Sequence, residues 1–120
     1  MKVICKGVGK GKTKCCYKRI MKLAKKKNTN ILFITGKTFV TSHACFGDFS
    51  RLLKESKYIS IVSQIDFSKG IIRCINGSTI QFIGMDYYFE HRECFNRHIK
   101  IIDNLDLVFP LLDTVSVTKY

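Results

Sequence analysis

The sequence predicts an α/β domain with three layers: a mostly parallel β-sheet, helices on both faces, and an antiparallel hairpin. Short apolar runs alternate with longer segments of helical periodicity. A glycine-rich segment ending in Gly-Lys-Thr separates the first apolar run from the first helical segment. Later, an Asn-Gly turn separates two further apolar runs. The length of 120 residues suits one domain, so we assign residues 1–120 to a single unit.

Each predicted element depends on a local pattern. Ile31–Thr35 is continuously apolar up to its last residue, as is typical of a strand buried on both faces. Thr41 or Ser42 can begin the second helix, because a hydroxyl can cap its free amides. Asn76-Gly77 favours the positive backbone angles of a tight hairpin turn. The predicted strands are residues 2–5, 31–35, 58–62, 70–75, 79–83, 98–102 and 114–118, and the predicted helices are residues 12–27 and about 42–57, with a helical turn in 86–97 and a short helical or turn segment at 105–112.

The segment from Lys6 to Thr13, KGVGKGKT, is the main chemical motif. Its glycines allow a tight turn that directs backbone amides at one phosphate, and the following helix presents its positive end there. Lys12 would reach the β- and γ-phosphates of ATP, and the Thr13 hydroxyl would hold Mg²⁺. The usual first glycine is replaced by Lys6, so a basic turn that binds no nucleotide is the alternative. The predicted phosphate-binding residues of this P-loop are Gly7, Gly9, Lys10, Gly11, Lys12, Thr13 and Lys14.

A second motif is the apolar run Ile99-Lys100-Ile101-Ile102 that ends in Asp103. A strand that delivers a carboxylate beside a phosphate loop can position Mg²⁺, usually through its water shell. The next residue, where a glutamate often activates water, is Asn104, which cannot act as a base. Alternatively, Asp103 and Asn104 only form the turn that ends the strand, because Asp and Asn are common turn residues. The predicted catalytic residues are Lys12, Asp103 and Asp106, and the predicted metal ligands are Thr13 and Asp103.

The charge distribution is strongly asymmetric. The formal net charge is +12, eleven lysines and arginines lie within residues 1–27, and the first acidic residue is Asp48. Such a field attracts polyanions. Lys14, Lys18, Lys22 and Lys25 lie on the first predicted helix and could face DNA. A solvated lysine-rich helix is an equally open interpretation.

Six cysteines are scattered through the predicted core segments, which is typical of reduced thiols in an intracellular protein. No apolar stretch is long enough to span a membrane, and the N-terminus has no apolar signal core. His91, Cys94 and His98 have a spacing that could collect three zinc ligands, but a fourth is not evident. We favour ordinary surface and core roles for these three residues.

The order of motifs resembles the ATPase domain of phage terminase large subunits, which package viral DNA. KGVGKGKT is similar to the phosphate loop of that family, and Asn76 to Asp86 is similar to its Asn-Gly-Ser hairpin with a Gly-hydrophobic-Asp step. Ile99 to Asp103 stands in the place of the acidic strand, and Thr118 in that of the coupling motif. The resemblance implies an ATP hydrolase, acting on a phosphoanhydride with Mg²⁺, that contacts DNA within a homo-oligomer or larger packaging complex. It implies a location in the host cytoplasm or in the virion.

The chain departs from that family in three respects. Asn104 replaces the catalytic glutamate, no adenine-binding segment precedes the first strand, and the later ATPase portion and nuclease domain are missing. We therefore expect weak or partner-dependent hydrolysis by a reduced or partial P-loop domain. The sequence leaves open a basic DNA-binding accessory module without catalysis and a fragment resembling superfamily 2 helicases, of which Asp103-Asn104-Leu105-Asp106 matches the acidic box in part. A small nucleotide kinase is a further alternative, although no substrate lid is evident.

Overall fold

The computed structural model describes residues 2–6, 12–36, 38–103 and 116–119. Strands and helices alternate along most of this length, which confirms the predicted α/β class. The strands are β1 Lys2–Lys6, β2 Asn30–Ile34, β3 Val62–Asp66, β4 Ile71–Cys74, β5 Thr79–Ile83, β6 Ile99–Asp103 and β7 Ser116–Lys119. The helices are α1 Lys12–Ala24, α2 Phe39–Lys54 and α3 Met85–Glu90, with 3₁₀ helices η1 Lys57–Ile61 and η2 Arg92–Phe95.

The strands form one seven-stranded sheet in the order β3-β4-β5-β2-β6-β1-β7. Strands β5, β2, β6, β1 and β7 are parallel to their neighbours within this series. Strands β3, β4 and β5 form an antiparallel meander. The sheet is therefore mixed, and the prediction of a mostly parallel sheet with one hairpin needs this correction.

The prediction missed the third antiparallel strand because it placed a strand at residues 58–62. This segment is largely the 3₁₀ helix η1, because the Ser56 hydroxyl accepts a hydrogen bond from the Tyr58 amide at 3.2 Å. The strand β3 begins only after Ile61, whose carbonyl accepts from the Ile75 amide at 2.8 Å. The chain then pairs back on β4, and the predicted hairpin becomes a three-stranded meander.

Helix α2 also begins and ends earlier than predicted. Its N-cap is Thr38, and Ser42, one of the two predicted caps, lies inside the helix and donates its amide to the Thr38 carbonyl at 3.2 Å. The helix ends at Lys54, where the Ser56 hydroxyl donates to the Leu53 carbonyl at 2.8 Å.

Two apolar clusters cover opposite faces of the sheet, as alternation along buried strands requires. On one face, Phe33 of β2 and Phe82 of β5 lie 4.7 Å apart between ring centres, and α1 and α2 pack over them. On the other face, Leu32 and Ile34 of β2 pack beneath α3 and η2. Helices therefore lie on both faces, as predicted, with the longer pair on one side.

Candidate functional site

The end of β1 and the end of β6 lie side by side at the carboxyl edge of the sheet. The two strands are parallel neighbours, and Lys6 is in register with Asp103. Helix α1 begins at Lys12, so the chain between β1 and α1 starts at this edge and leads into a helix N-terminus. Ligands of α/β sheets bind at the carboxyl ends of strands for this reason.

The predicted phosphate-binding residues fall into two groups. Gly7, Gly9, Lys10 and Gly11 lie outside the described residues. Lys12, Thr13 and Lys14 form the first turn of α1, and the structure describes their backbone. That turn contains no acidic residue. Cations at a helix N-terminus oppose its macrodipole, so this first turn is unfavourable without a nearby anion.

The predicted acidic residues are described only in part. Asp103 is the last residue of β6 and lies opposite the end of β1. Asn104 and Asp106 lie outside the described residues, so the proposed meeting of Asp103 with Asp106 stays a prediction. Thr118 lies on β7 in register with Ile4 of β1, one residue before the last residue of its strand.

Two backbone hydrogen bonds at the same edge of the sheet were not predicted from the sequence. The Thr35 amide donates to the Ile83 carbonyl at 3.0 Å, and the Met85 amide donates to the Gly36 carbonyl at 3.0 Å. These bonds fasten the segment after β2 to the segment after β5. Gly36 has a φ of 69°, a conformation that glycine adopts without strain. A Thr-Gly step directly after a buried strand was the available signal.

A cavity of about 440 Å³ lies beside the carboxyl end of β5. Its size is within the range of small-molecule pockets. The exposed ring of Tyr87 stacks on His91, with ring centres 4.1 Å apart. The cavity is lined by Ser68, Lys69, Ile71, Gln81, Phe82, Ile83, Gly84 and Tyr87. These lining residues, all from the described part of the chain, belong to the segments around β4, β5 and α3.

Lys100 is a buried cation that the apolar pattern of β6 concealed. It is 1% exposed, and its ammonium donates to the Phe95 carbonyl at 2.7 Å and to the His98 carbonyl at 3.5 Å. Burial lowers the pKa of Lys100 to about 8. Burial, together with the charge of Lys100, also lowers the pKa of His98. These contacts hold η2 against the end of the sheet where β6 begins.

The potential zinc ligands do not come together. Within the described part of the chain, no group of three His, Cys, Asp or Glu residues could hold a metal ion. The Nδ1 atom of His91 lies 3.0 Å from the Tyr87 carbonyl, and Cys94 is exposed. Among the cysteines whose side chains the structure describes, Cys45, Cys74 and Cys94 are free thiols.

Of the lysines predicted to form a basic face, Lys18 and Lys22 of α1 and Lys25 directly after the helix are solvent-exposed. The opposite side of the helix, including Ile20 and Leu23, is buried against the sheet. The side chain of Lys14 lies outside the described residues.

Comparison with known proteins does not assign the chain to a family. No family model matches it, and no curated protein matches it with significant similarity. Within the described residues, no helix is long and apolar enough to cross a membrane.

Proposed function

We propose that this chain is an ATP-binding P-loop protein with weak or partner-dependent hydrolysis, acting in viral DNA packaging as terminases do. The register of Lys6 with Asp103 is the observation that carries the proposal. It brings the strand before the glycine-rich segment and the strand ending in an aspartate to the same point of one sheet edge. Helix α1 begins six residues after Lys6, at the lysine expected to reach the phosphates.

The electrostatics of α1 support the same proposal. A first turn with Lys12 and Lys14 and no acidic residue opposes the helix dipole by about 0.3–1 kcal/mol per charge. A bound triphosphate would reverse this repulsion, because it would interact favourably with the lysines, the helix end and the free amides together. Asp103 would position Mg²⁺ with Thr13 from the neighbouring strand.

The packaging role comes from the resemblance to terminases, and the DNA partner, the oligomeric or larger complex, and the viral setting come with it. The Asn-Gly-Ser turn occurs between two paired strands, as expected for that family's hairpin. A basic DNA-binding module without catalysis is the second candidate. The exposed lysines Lys18 and Lys22 of α1, with Lys25 directly after the helix, favour it specifically.

Titration of labelled ATP with and without Mg²⁺ tests the nucleotide proposal. Lys12→Ala should weaken ATP binding roughly tenfold or more, since a charge-assisted contact contributes about 1.5–3 kcal/mol. Lys54→Ala, an exposed lysine on α2, is the matched control and should bind ATP normally. Equal affinity of both variants and the unmodified chain would overturn the phosphate-loop assignment.

A further inference from the structure

We propose that Lys25, Lys57 and Tyr58 form a binding site for the phosphate backbone of a nucleic acid, on the opposite edge of the sheet from the predicted ATP site. The ammonium nitrogen of Lys25 lies 5.1 Å from the centre of the Tyr58 ring, and that of Lys57 lies 5.6 Å from it. Both distances are within the range of cation–π attraction. The inference gives a location to the nucleic-acid partner of the proposed function.

The pairing gathers two like charges that are far apart in sequence. Both lysines are exposed, and the repulsion between their charges would by itself keep the two ammonium groups apart in solvent. Because they share one ring, the ammonium groups lie within the reach of a few successive phosphates, which rise about 3.4 Å per nucleotide. Glu55 is the one acidic residue within the segments 18–27 and 51–58. These two segments carry nine lysines and arginines, so the cluster lies in a part of the chain with a large excess of positive charge.

The lysine stripe of α1 extends this surface. Lys18 and Lys22 are spaced by four residues, so they lie on one side of the helix, Lys25 follows directly after its end, and all three are exposed. The apolar side of α1 is buried in the core, which leaves the helix no apolar face to insert into a membrane. This arrangement favours nucleic acid over a lipid surface.

The end of α1 is held rigidly where the cluster forms. The Asn76 side-chain amide donates to the carbonyls of Ala24 and Lys25 at 2.9 and 3.1 Å. The lysines after α1 are therefore not needed to cap its carbonyls, and Lys25, Lys26 and Lys27 are all exposed. Asn76 precedes β5, so the cluster lies at the amino edge of the parallel strands. Strand β2, five residues and about 16 Å long, separates it from the edge of Lys6 and Asp103.

The test measures binding of a labelled DNA duplex by fluorescence anisotropy over a range of salt concentrations. The variant is Lys25→Gln with Lys57→Gln. The matched control is Lys69→Gln with Arg97→Gln, which removes the same charge from exposed positions elsewhere. Thermal melting establishes that each variant is folded.

We expect the cluster variant to lose about tenfold in DNA affinity and to flatten the salt slope by about 1.8, from two lost phosphate contacts. The control pair should change affinity less than about twofold. Equal losses in both pairs, or binding to phosphatidylserine vesicles without binding to DNA, would overturn the inference. ATP titration of the cluster variant separates the two proposals. If ATP binding is unchanged while the cluster and control variants lose DNA affinity equally, the nucleic-acid site is contradicted and the ATP site is not.

Discussion

The side-chain amide of Asn76 donates a hydrogen bond of 2.9 Å to the carbonyl of Ala24, the last residue of α1. The same nitrogen lies 3.1 and 3.4 Å from the carbonyls of Lys25 and Lys26. The Ser78 hydroxyl donates to the Lys26 carbonyl and accepts from the Thr29 amide at 3.0 Å. The Asn-Gly-Ser turn is thus a brace for the helix that follows the predicted phosphate loop.

Asn76→Ala should destabilise the protein, because the last carbonyls of α1 lose their donor. The expected reduction in the free energy of unfolding is about 1–3 kcal/mol, measured by urea denaturation. Asn96→Ala, an exposed asparagine after η2, serves as the control and should change stability by less than about 0.5 kcal/mol. Equal stabilities of the two variants would contradict the bracing role.

Gly77→Ala should lower the melting temperature, since Gly77 has a φ of 85° and an added Cβ would lie 2.2 Å from the Asn28 side-chain oxygen. The left-handed conformation alone disfavours alanine by about 1–2 kcal/mol. Gly47→Ala is the matched control: it lies within α2 with open space around it, and should raise stability by up to about 1 kcal/mol. An unchanged melting temperature for Gly77→Ala would show that the turn is misplaced.

Hydrolysis by the isolated chain should be very slow, because Asn104 stands where a water-activating carboxylate is expected. Asn104→Glu should raise the steady-state release of phosphate, whereas Asp103→Ala should reduce the Mg²⁺-dependent part of ATP binding. Asp86→Ala, an exposed acid on α3, is the control for charge removal. Brisk turnover that is insensitive to Asp103 and Asp106 would exclude β6 as the catalytic strand.

Lys100 should make stability depend on pH. Its folded pKa of about 8 lies below the ordinary value of 10.5, so the unfolded chain binds more protons between these values. The penalty for burying the charge is complete below pH 8 and disappears as the pH rises to 10.5. Compared with Lys100→Met, the unmodified chain should therefore gain up to about 3 kcal/mol across this window.

The comparison with Lys100→Met is needed because other buried groups also make stability depend on pH. Burial raises the pKa of the Cys74 thiol and of Tyr88, and both effects reduce stability at high pH. These contributions are shared by both proteins and cancel in the difference. Urea denaturation at pH 7.5 and pH 10 measures the difference in the free energy of unfolding between the unmodified chain and Lys100→Met. A difference that is constant with pH would contradict a buried, charged Lys100.

Local sequence determined the elements whose signals are contained within a few residues. The apolar run at Ile31 to Ile34 became a central strand, because only a strand buried on both faces tolerates continuous apolar side chains. Gly77 adopted the predicted positive φ. Asn76 did not: among the described non-glycine residues, only Asn28 has a positive φ. The Asn76 side chain instead bonds to the end of α1.

Tertiary structure decided what depends on residues distant in sequence. Whether residues 58–62 form a strand depended on a cap at Ser56 and on pairing with β4, so their apolar character alone misled the prediction. The register of Lys6 with Asp103 and the sharing of Tyr58 by Lys25 and Lys57 arise only when separate segments pack together. The sequence alone established the chemical motifs and the excess of positive charge, since both are properties of composition and order. The fold decided where those charges lie, because position in space is set by sheet pairing and by side-chain hydrogen bonds between distant elements.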